Sequence, residues 1–537
     1  MTYSRPGVYI TEGPFSTNAP VGPAVTPTAF LGTAPRGPVR AISGGFAGAP
    51  TRIDSWTQYK AVYGDLTNTS DLGYAVYHFF ANGGRTAYVT RVVALAAVKA
   101  KSENILGTIA GGSSTTLFKV QAKSTGTWAN YVAATATEVK KGIQVVVTAG
   151  QRNGISETLS GGTGTPLTFN LAVYFGNSAS PIETWAEVSM DPDSPQYAPT
   201  IINAYSNYID VTDVAAGLTA GVVYTITAGT YSMGTGTGST AGTEGTIADS
   251  DWGNAVDSLD LVSGALLVNL VGQTSATRVN DALTYAETRG NAFVIIDPAA
   301  DQTTVAGITG LVGTTYNKSS YGAVFYPLVK MPDPSRSGTA TLRDTYPGGA
   351  IAGLFSRVEQ ERTVAKAPAG YAYDVRNALG LTTSFTDSQV GSLYDAHVNT
   401  LKVIPGGGVI VNGARTLKKT DITKYVPVRR ALNYVKTNLE AIAQTFLFEP
   451  NGERTWTSVN AALSNFLSDF WSAGGLKGRN VTEAFYIICD SSNNPSYSVN
   501  NGELNIEVGV ALQTPAEFII INISQFAGGT TTTTESL

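Results

Sequence analysis

The sequence predicts an α/β multi-domain chain. Its expected parts are a parallel or mixed sheet core flanked by helices, an α+β carboxy-terminal domain, an inserted mostly-β outer domain, and extended β-prone arms at both ends. Three observations carry this. Near-continuous apolar runs at 29–32, 265–268, 292–297 and 320–326 alternate with helical patterns, as strands covered on both faces do. Two long stripes at helical spacing follow residue 425. Between residues 96 and 250, Gly, Ser and Thr dominate, broken by β-prone bursts such as 142–147. A length of 537 residues leaves room for about three to four domains.

Residues 1–23 read as a linking arm, in which Pro6-Gly7 marks a turn and Val8, Tyr9, Ile10 and Thr11 form a short β-prone run. Residues 24–95 hold a first core part: a strand at 29–32, a helix over 71–82 capped by Ser70 and ended by Gly83, and a strand at 87–93. Leu72, Ala75, Val76, Phe79 and Phe80 share one face of that helix. Residues 96–252 read as a β-rich insertion, nearly low in complexity over 225–246 and too loop-rich to share a common core. Residues 253–384 return to the core, with strands at 265–268, 292–297 and 320–326. A helix runs from Ser275 through Val279, Leu283 and Ala286 to Gly290.

Residues 385–526 form the expected carboxy-terminal domain, read as mostly helical up to about 475. Pro427 suits a first helical turn, followed by a stripe of Val428, Ala431, Leu432, Val435, Leu439, Ile442 and Phe446. A second helix carries Val459, Leu463, Phe466, Leu467, Phe470 and Trp471 and stops at Gly474-Gly475. β-prone runs follow at 484–489, 504–512 and 517–523, the last including Phe518, Ile519, Ile520, Ile521 and Ile523. Residues 527–537 are a polar tail.

Charged residues are 14% of the chain, against roughly 25% in an average soluble protein, which leaves much non-ionic surface for burial against partners. A net charge of −5 gives no general attraction to nucleic acid. That charge is unevenly spread: residues 153–277 contain no Lys or Arg, whereas Lys418, Lys419, Lys424, Arg429, Arg430 and Lys436 cluster later. The start shows no apolar run behind Arg5, and the apolar stretches 259–271 and 518–523 fall short of the ~20 residues that span a bilayer. A soluble intracellular product, released other than by secretion, is expected.

Little in the sequence supports catalysis. One Cys and two His exclude a disulfide framework and a common zinc site. His78 and His397 lie in helical patterns with no nucleophile motif beside them, and Cys489 sits in an apolar strand. The Gly-rich pieces 234–238 and 406–408 lack the Lys-Ser/Thr of a phosphate loop, and Asp191 with Asp193 reads as a solvated loop pair. No cofactor or metal is expected.

The residues do carry a resemblance. Arg5-Pro6-Gly7-Val8-Tyr9-Ile10-Thr11-Glu12, Phe30-Leu31-Gly32-Thr33-Ala34-Pro35-Arg36-Gly37-Pro38 and Phe79-Phe80-Ala81-Asn82-Gly83-Gly84 stand in that order. So do Pro347-Gly348-Gly349-Ala350, Asn412-Gly413-Ala414-Arg415-Thr416-Leu417, Phe448-Glu449-Pro450-Asn451, Arg454-Thr455-Trp456 and Pro515-Ala516-Glu517-Phe518. With these, residues 1–95 and about 260–525 resemble the contractile tail sheath family of phage tails and related injection machines.

The resemblance implies a non-enzymatic structural subunit. Such subunits polymerise as hexameric rings or a six-start helix around an inner tail tube and contract to drive it through a cell envelope. It implies a middle domain that is subtilisin-like in fold and without an active site. Partners would be further copies of the chain, the inner tube, the baseplate and the tail terminator, with no direct contact to nucleic acid or membrane. The place would be a virion tail assembled in the host cytoplasm, or a bacterial injection system. Strand exchange between subunits then falls to Val8, Tyr9, Ile10, Thr11 and to Phe518, Ile519, Ile520, Ile521 and Ile523. Lys418, Lys419, Lys424, Arg429, Arg430 and Lys436 become the candidate tube-facing surface, and the helix at 455–472 with Lys477 and Arg479 is its rival. The alternatives are a non-contractile structural or adhesive assembly protein and an α/β hydrolase.

Overall fold

The computed structural model describes residues 25–109, 114–135, 139–150, 168–214, 224–297, 304–335, 341–406 and 408–517. The expected strands at 8–11 and 518–523 lie outside the described residues.

An eight-stranded sheet forms the centre. Its strands are β1 (Thr28–Gly32), β2 (Thr51–Ile53), β3 (Ala87–Arg91), β4 (Leu266–Leu270), β5 (Ala292–Ile296), β6 (Gly322–Tyr326), β7 (Val398–Ile404) and β8 (Gly408–Asn412). Across the sheet they run β8-β7-β6-β5-β4-β1-β3-β2. The six inner strands are parallel and the two edges antiparallel. Every residue of β1, β4, β5 and β6 is buried, as the apolar runs predict for strands covered on both faces. Phe30, Phe293 and Phe325 join one buried layer, while Ala29, Leu31, Val268, Val294 and Val324 join the other.

Helices α1 (Leu72–Ala81) and α3 (Gly348–Glu361) cover the first layer, and α2 (Ala276–Arg289) the second. α1 and α3 meet closely because α3 presents glycine to α1's backbone. A Cβ on Gly349 would lie 2.2 Å from the Ala75 carbonyl oxygen, and one on Gly353 would lie 2.4 Å from that of Phe79. Gly290 closes α2 in the left-handed conformation, φ +76°, its N–H donating to the Ala286 carbonyl at 2.9 Å. Ser70 does not cap α1. Its hydroxyl donates to the Thr33 carbonyl instead, and Asp71 takes the cap position while pairing with Arg343 at 2.7 Å.

The inserted part is mostly β, as expected, but it is not coreless. One antiparallel sheet runs Glu183–Val188, Phe169–Phe175, Ile143–Ala149, Gly229–Ser232. The other runs Ile209–Asp213, Ser114–Ala122, Ile105–Ile109, Tyr224–Ile226. Ile143, Val145, Val147, Phe169, Leu171 and Val173 alternate inward, and the Phe118 and Phe169 rings stack at 5.2 Å. The chain enters and leaves this part side by side, Val98 and Thr243 exchanging main-chain hydrogen bonds of 3.0 and 3.1 Å. Arg91, 1% exposed, fastens it: its side chain donates to the carbonyls of Ala34 and Thr125 and pairs with Glu244 at 3.0 Å. Arg36 adds a cation–π contact, 4.5 Å from the Tyr208 ring centre.

The stretch without Lys or Arg is partly neutralised by bases from outside it. Asp210 binds Lys99 and Lys123 at 3.0 and 2.8 Å, Asp249 binds Arg278 at 2.6 Å, and Asp260 lies 3.8 Å from Arg289. The helical reading of 385–475 fails at β7 and β8, which extend the central sheet.

Gly353→Ala is expected to lower the thermal unfolding midpoint, since an added methyl in a closed contact costs about 1–3 kcal/mol. Calorimetry showing an unchanged midpoint would mean that α1 and α3 do not meet this closely in solution.

Candidate functional site

The carboxy-terminal part packs α4 (Val426–Gln444) against α5 (Glu453–Ser472), with β9 (Phe485–Ile488) and β10 (Glu507–Val510) laid on them. Val428, Ala431, Tyr434 and Val435 of α4 meet Val459, Leu463, Leu467 and Phe470 of α5. All but Tyr434 belong to the predicted stripes. Among the described residues β9 and β10 form a two-stranded antiparallel sheet, Phe485 opposite Val510 and Ile488 opposite Glu507. A two-stranded unit is marginal in water without a packed face. Here Ile487, Val508 and Val510 supply one, against the core that contains Cys489 and Leu512.

The basic cluster is split. Lys419 is exposed, its ammonium donating to the Asp395 carbonyl at 3.0 Å. Lys418 pairs with Asp421 at 2.7 Å, and Lys424 lies 5.1 Å from the Tyr425 ring centre. Lys436 is half-buried on α4. Arg429 and Arg430, by contrast, are 1% and 4% exposed and do not form part of a basic surface. The first turns of α4 are enclosed on all sides, so both guanidinium groups point into protein. Arg429 stacks 4.3 Å from the Tyr321 ring centre; Arg430 lies 4.5 Å from that of Phe355 and forms an ion pair with Glu359 of α3. Burial pulls the Arg430 guanidinium down to about 9, and the Glu359 carboxylate supplies the counter-charge. The rival residues Lys477 and Arg479 are exposed.

Sequence reasoning missed two further groups. Glu359 also accepts the Thr26 main-chain N–H at 2.7 Å through its second oxygen. Arg415 holds Glu517 in a two-point ion pair of 3.1 and 2.8 Å, and its guanidinium lies 3.5 Å from the Tyr394 ring centre. Burial alone would raise the Glu517 carboxyl, but the Arg415 hydrogen bonds override it and hold that carboxyl below its usual range. No local signal marks either acid, because each partner lies far away in sequence.

The titratable residues read as non-catalytic have structural surroundings. His78 is enclosed in α1, and burial takes its imidazole down to about 4, with nearby Asp333 opposing. His397 stands after a helix rather than within one, at φ +65°, with Nδ1 2.8 Å from the Thr416 carbonyl. Burial pushes the Cys489 thiol up to about 11. Asp297 accepts from Asn269 and from the N–H groups of Gly272 and Gly348, and burial pushes it up to about 6. Among the described residues no group of three or more His, Cys, Asp or Glu could hold a metal ion, and no helix is long and apolar enough to cross a membrane.

Residues 245–417 match the family model for the phage tail sheath protein central domain, and residues 418–526 that for the phage tail sheath C-terminal domain. The chain belongs to the phage tail sheath family. The tail sheath protein of Vibrio phage KVP40 is 25% identical over 176 residues, 32% of this chain and 25% of the relative. That of Enterobacteria phage T4 is 24% identical over 181 residues, 33% of this chain and 27% of the relative. The matched stretch thus spans about a quarter of the length of these curated sheaths. Solved structures share the fold at greater coverage. The helical sheath of the anti-feeding prophage in its contracted state is 19% identical, with a TM-score of 0.54 over 98% of this chain and 100% of its own. A sheath tail protein from Listeria innocua is 11% identical, with a TM-score of 0.56 over 88% and 90%.

Arg430→Glu is expected to yield no folded sheath protein, since it sets two carboxylates together in the interior; breaking a buried ion pair alone costs about 3–5 kcal/mol. Lys419→Glu is expected to fold normally by circular dichroism, and a folded Arg430→Glu protein would refute the buried placement.

Acid should act through His78. An unfolded imidazole titrates near 6.5 and the folded one near 4, so stability falls as pH drops through that window. Asp297, raised from 3.8 to about 6, works in the opposite direction, so the two are separated by comparing variants. From neutral pH to pH 4, urea unfolding of His78→Leu should gain on the parent by up to about 3 kcal/mol. A constant difference across that range would contradict the burial.

Proposed function

We propose that this protein is the structural subunit of a contractile tail sheath. It would polymerise with copies of itself, as hexameric rings or a six-start helix, around an inner tail tube, and contract to drive that tube through a cell envelope. The observation that carries this is the unbroken match of residues 245–526 to the two sheath domains in their family order. The baseplate and a tail terminator would bound the assembly, in a virion tail or an injection system. No catalytic step is assigned, and the central layer is read as subtilisin-like in fold alone. We divide the chain into an arm (1–23), a core in two parts (24–95 and 253–417), an insertion lying outward (96–252), a carboxy-terminal domain from Lys418 and a tail (527–537). The join moves from 384 to 417 because β7 and β8 complete the central sheet.

Subunits would be linked by strand addition. Val8, Tyr9, Ile10 and Thr11 of one copy, and Phe518, Ile519, Ile520, Ile521 and Ile523 of another, are proposed to extend the β9–β10 sheet of a neighbour. Main-chain hydrogen bonds bring affinity without demanding particular side chains. Contraction needs no nucleotide if the extended lattice is metastable: a few kcal/mol per subunit from newly buried apolar area, at about 25 cal/mol per Å², adds up over many subunits. For the tube we retain Lys418, Lys419 and Lys424, whose exposed pairs are worth at most about 1 kcal/mol each and break easily. The α5 face with Lys477 and Arg479 is the competing surface.

The full chain is expected to form tubes visible by negative-stain microscopy, and a version lacking residues 2–23 to remain in small, soluble particles. A full chain that stays a single compact particle under all assembly conditions would overturn the proposal.

A further inference from the structure

We infer that the Glu359–Arg430 and Arg415–Glu517 pairs are the anchors through which the two arms transmit tension to the subunit body. This rests on the assembly reading above. Thr26 and Glu517 stand near the two ends of the described residues, Thr26 bound by the buried Glu359 carboxylate and Glu517 paired with the partly buried Arg415. At the amino-terminal side, the Thr26 N–H is bound by Glu359, itself 4% exposed and paired with Arg430. That contact fixes the path of the main chain whatever side chain stands at position 26. At the carboxy-terminal side, Glu517 and Arg415 have side chains 13% exposed, and two parallel hydrogen bonds set their relative orientation.

The two anchors converge. Arg415 and Arg430 flank one short stretch that leads from the last central strand into α4. Its far end is tied to the sheet by Asn433, whose amide donates to the Ala292 carbonyl at 2.9 Å. Its near end is tied by Asn399 of β7, which accepts the Arg415 main-chain N–H at 2.7 Å. A pull on the amino-terminal arm reaches β1 directly along the main chain and reaches this stretch through Glu359 and Arg430, while a pull on the carboxy-terminal arm reaches the same stretch through Glu517 and Arg415. An arm rooted in weak surface contacts would instead peel off its own body before moving a neighbour.

The test uses the full chain with Thr26→Pro, which removes the N–H together with the Thr side chain and fixes φ, with Thr26→Ala, which loses the side chain but keeps the N–H, and with Glu517→Gln, which deletes the charge. Glu517→Asp, which keeps it, serves as the conservative control. Hydrogen exchange on unassembled protein should show roughly tenfold or faster opening at Val25 and Thr28 in Thr26→Pro but not in Thr26→Ala, and over 507–517 in Glu517→Gln, with exchange of β3 to β6 unchanged. The critical concentration for tube formation should rise about tenfold in Thr26→Pro and Glu517→Gln, and less in Glu517→Asp. Unchanged exchange at the roots would overturn the anchors. Faster exchange with an unchanged critical concentration would overturn their mechanical role. Failure of the unaltered chain to polymerise would strike the assembly reading itself, and this inference with it.

Discussion

The structure depends on one strand. β1 is buried at every residue and hydrogen-bonded on both sides, to β3 from the first core part and to β4 from the second. Without it the sheet itself would fall into two halves, held to one another by the α1–α3 contact and the Asp71–Arg343 pair rather than by strand pairing. Parallel strands need covered faces, so the glycine-mediated seat of α3 on α1 and the packing of α2 follow from the same requirement. Thr26, two residues before β1, therefore stands on the most rigid ground the molecule has.

Low charge density gives the few buried ions unusual weight. With 14% charged residues, the interior holds Arg91, Arg429 and Arg430 nearly out of water. Each guanidinium binds something that a neutral side chain of similar length would not: carbonyls and Glu244 for Arg91, the Tyr321 ring for Arg429, and Glu359 for Arg430. These contacts fix how parts sit on one another, which apolar packing alone leaves permissive. The surface, by contrast, keeps its weak and exchangeable charges, such as Lys418 with Asp421.

Much of the fold was legible where a local pattern had a local cause. Apolar runs gave β1, β4, β5 and β6, and the stripes gave α4 and α5. Gly290 was read as a helix end from its lack of a Cβ. The misses share one origin. Ser70 looked like a cap, but the Thr33 carbonyl competes for its hydroxyl. Residues 398–412 lie among helical patterns, and only pairing with β6 reveals them as strands. The inward alternation of Ile143, Val145 and Val147 was visible, yet the Gly- and Thr-rich loops around it hid the core it builds. Arg429 and Arg430 fall beside the apolar stripe, and the rings and carboxylate that enclose them come from residues 321, 355 and 359.

The paired passage at Val98 and Thr243 has a consequence of its own. Because both directions of the chain cross there hand in hand, the inserted sandwich behaves as a cassette: its two ends are adjacent, its hydrophobic interior is private, and the strands beneath it are complete without it. Exchange of one such cassette for another would leave the central sheet and its helices unchanged. The same geometry offers a grafting point for a foreign domain whose own termini lie close together.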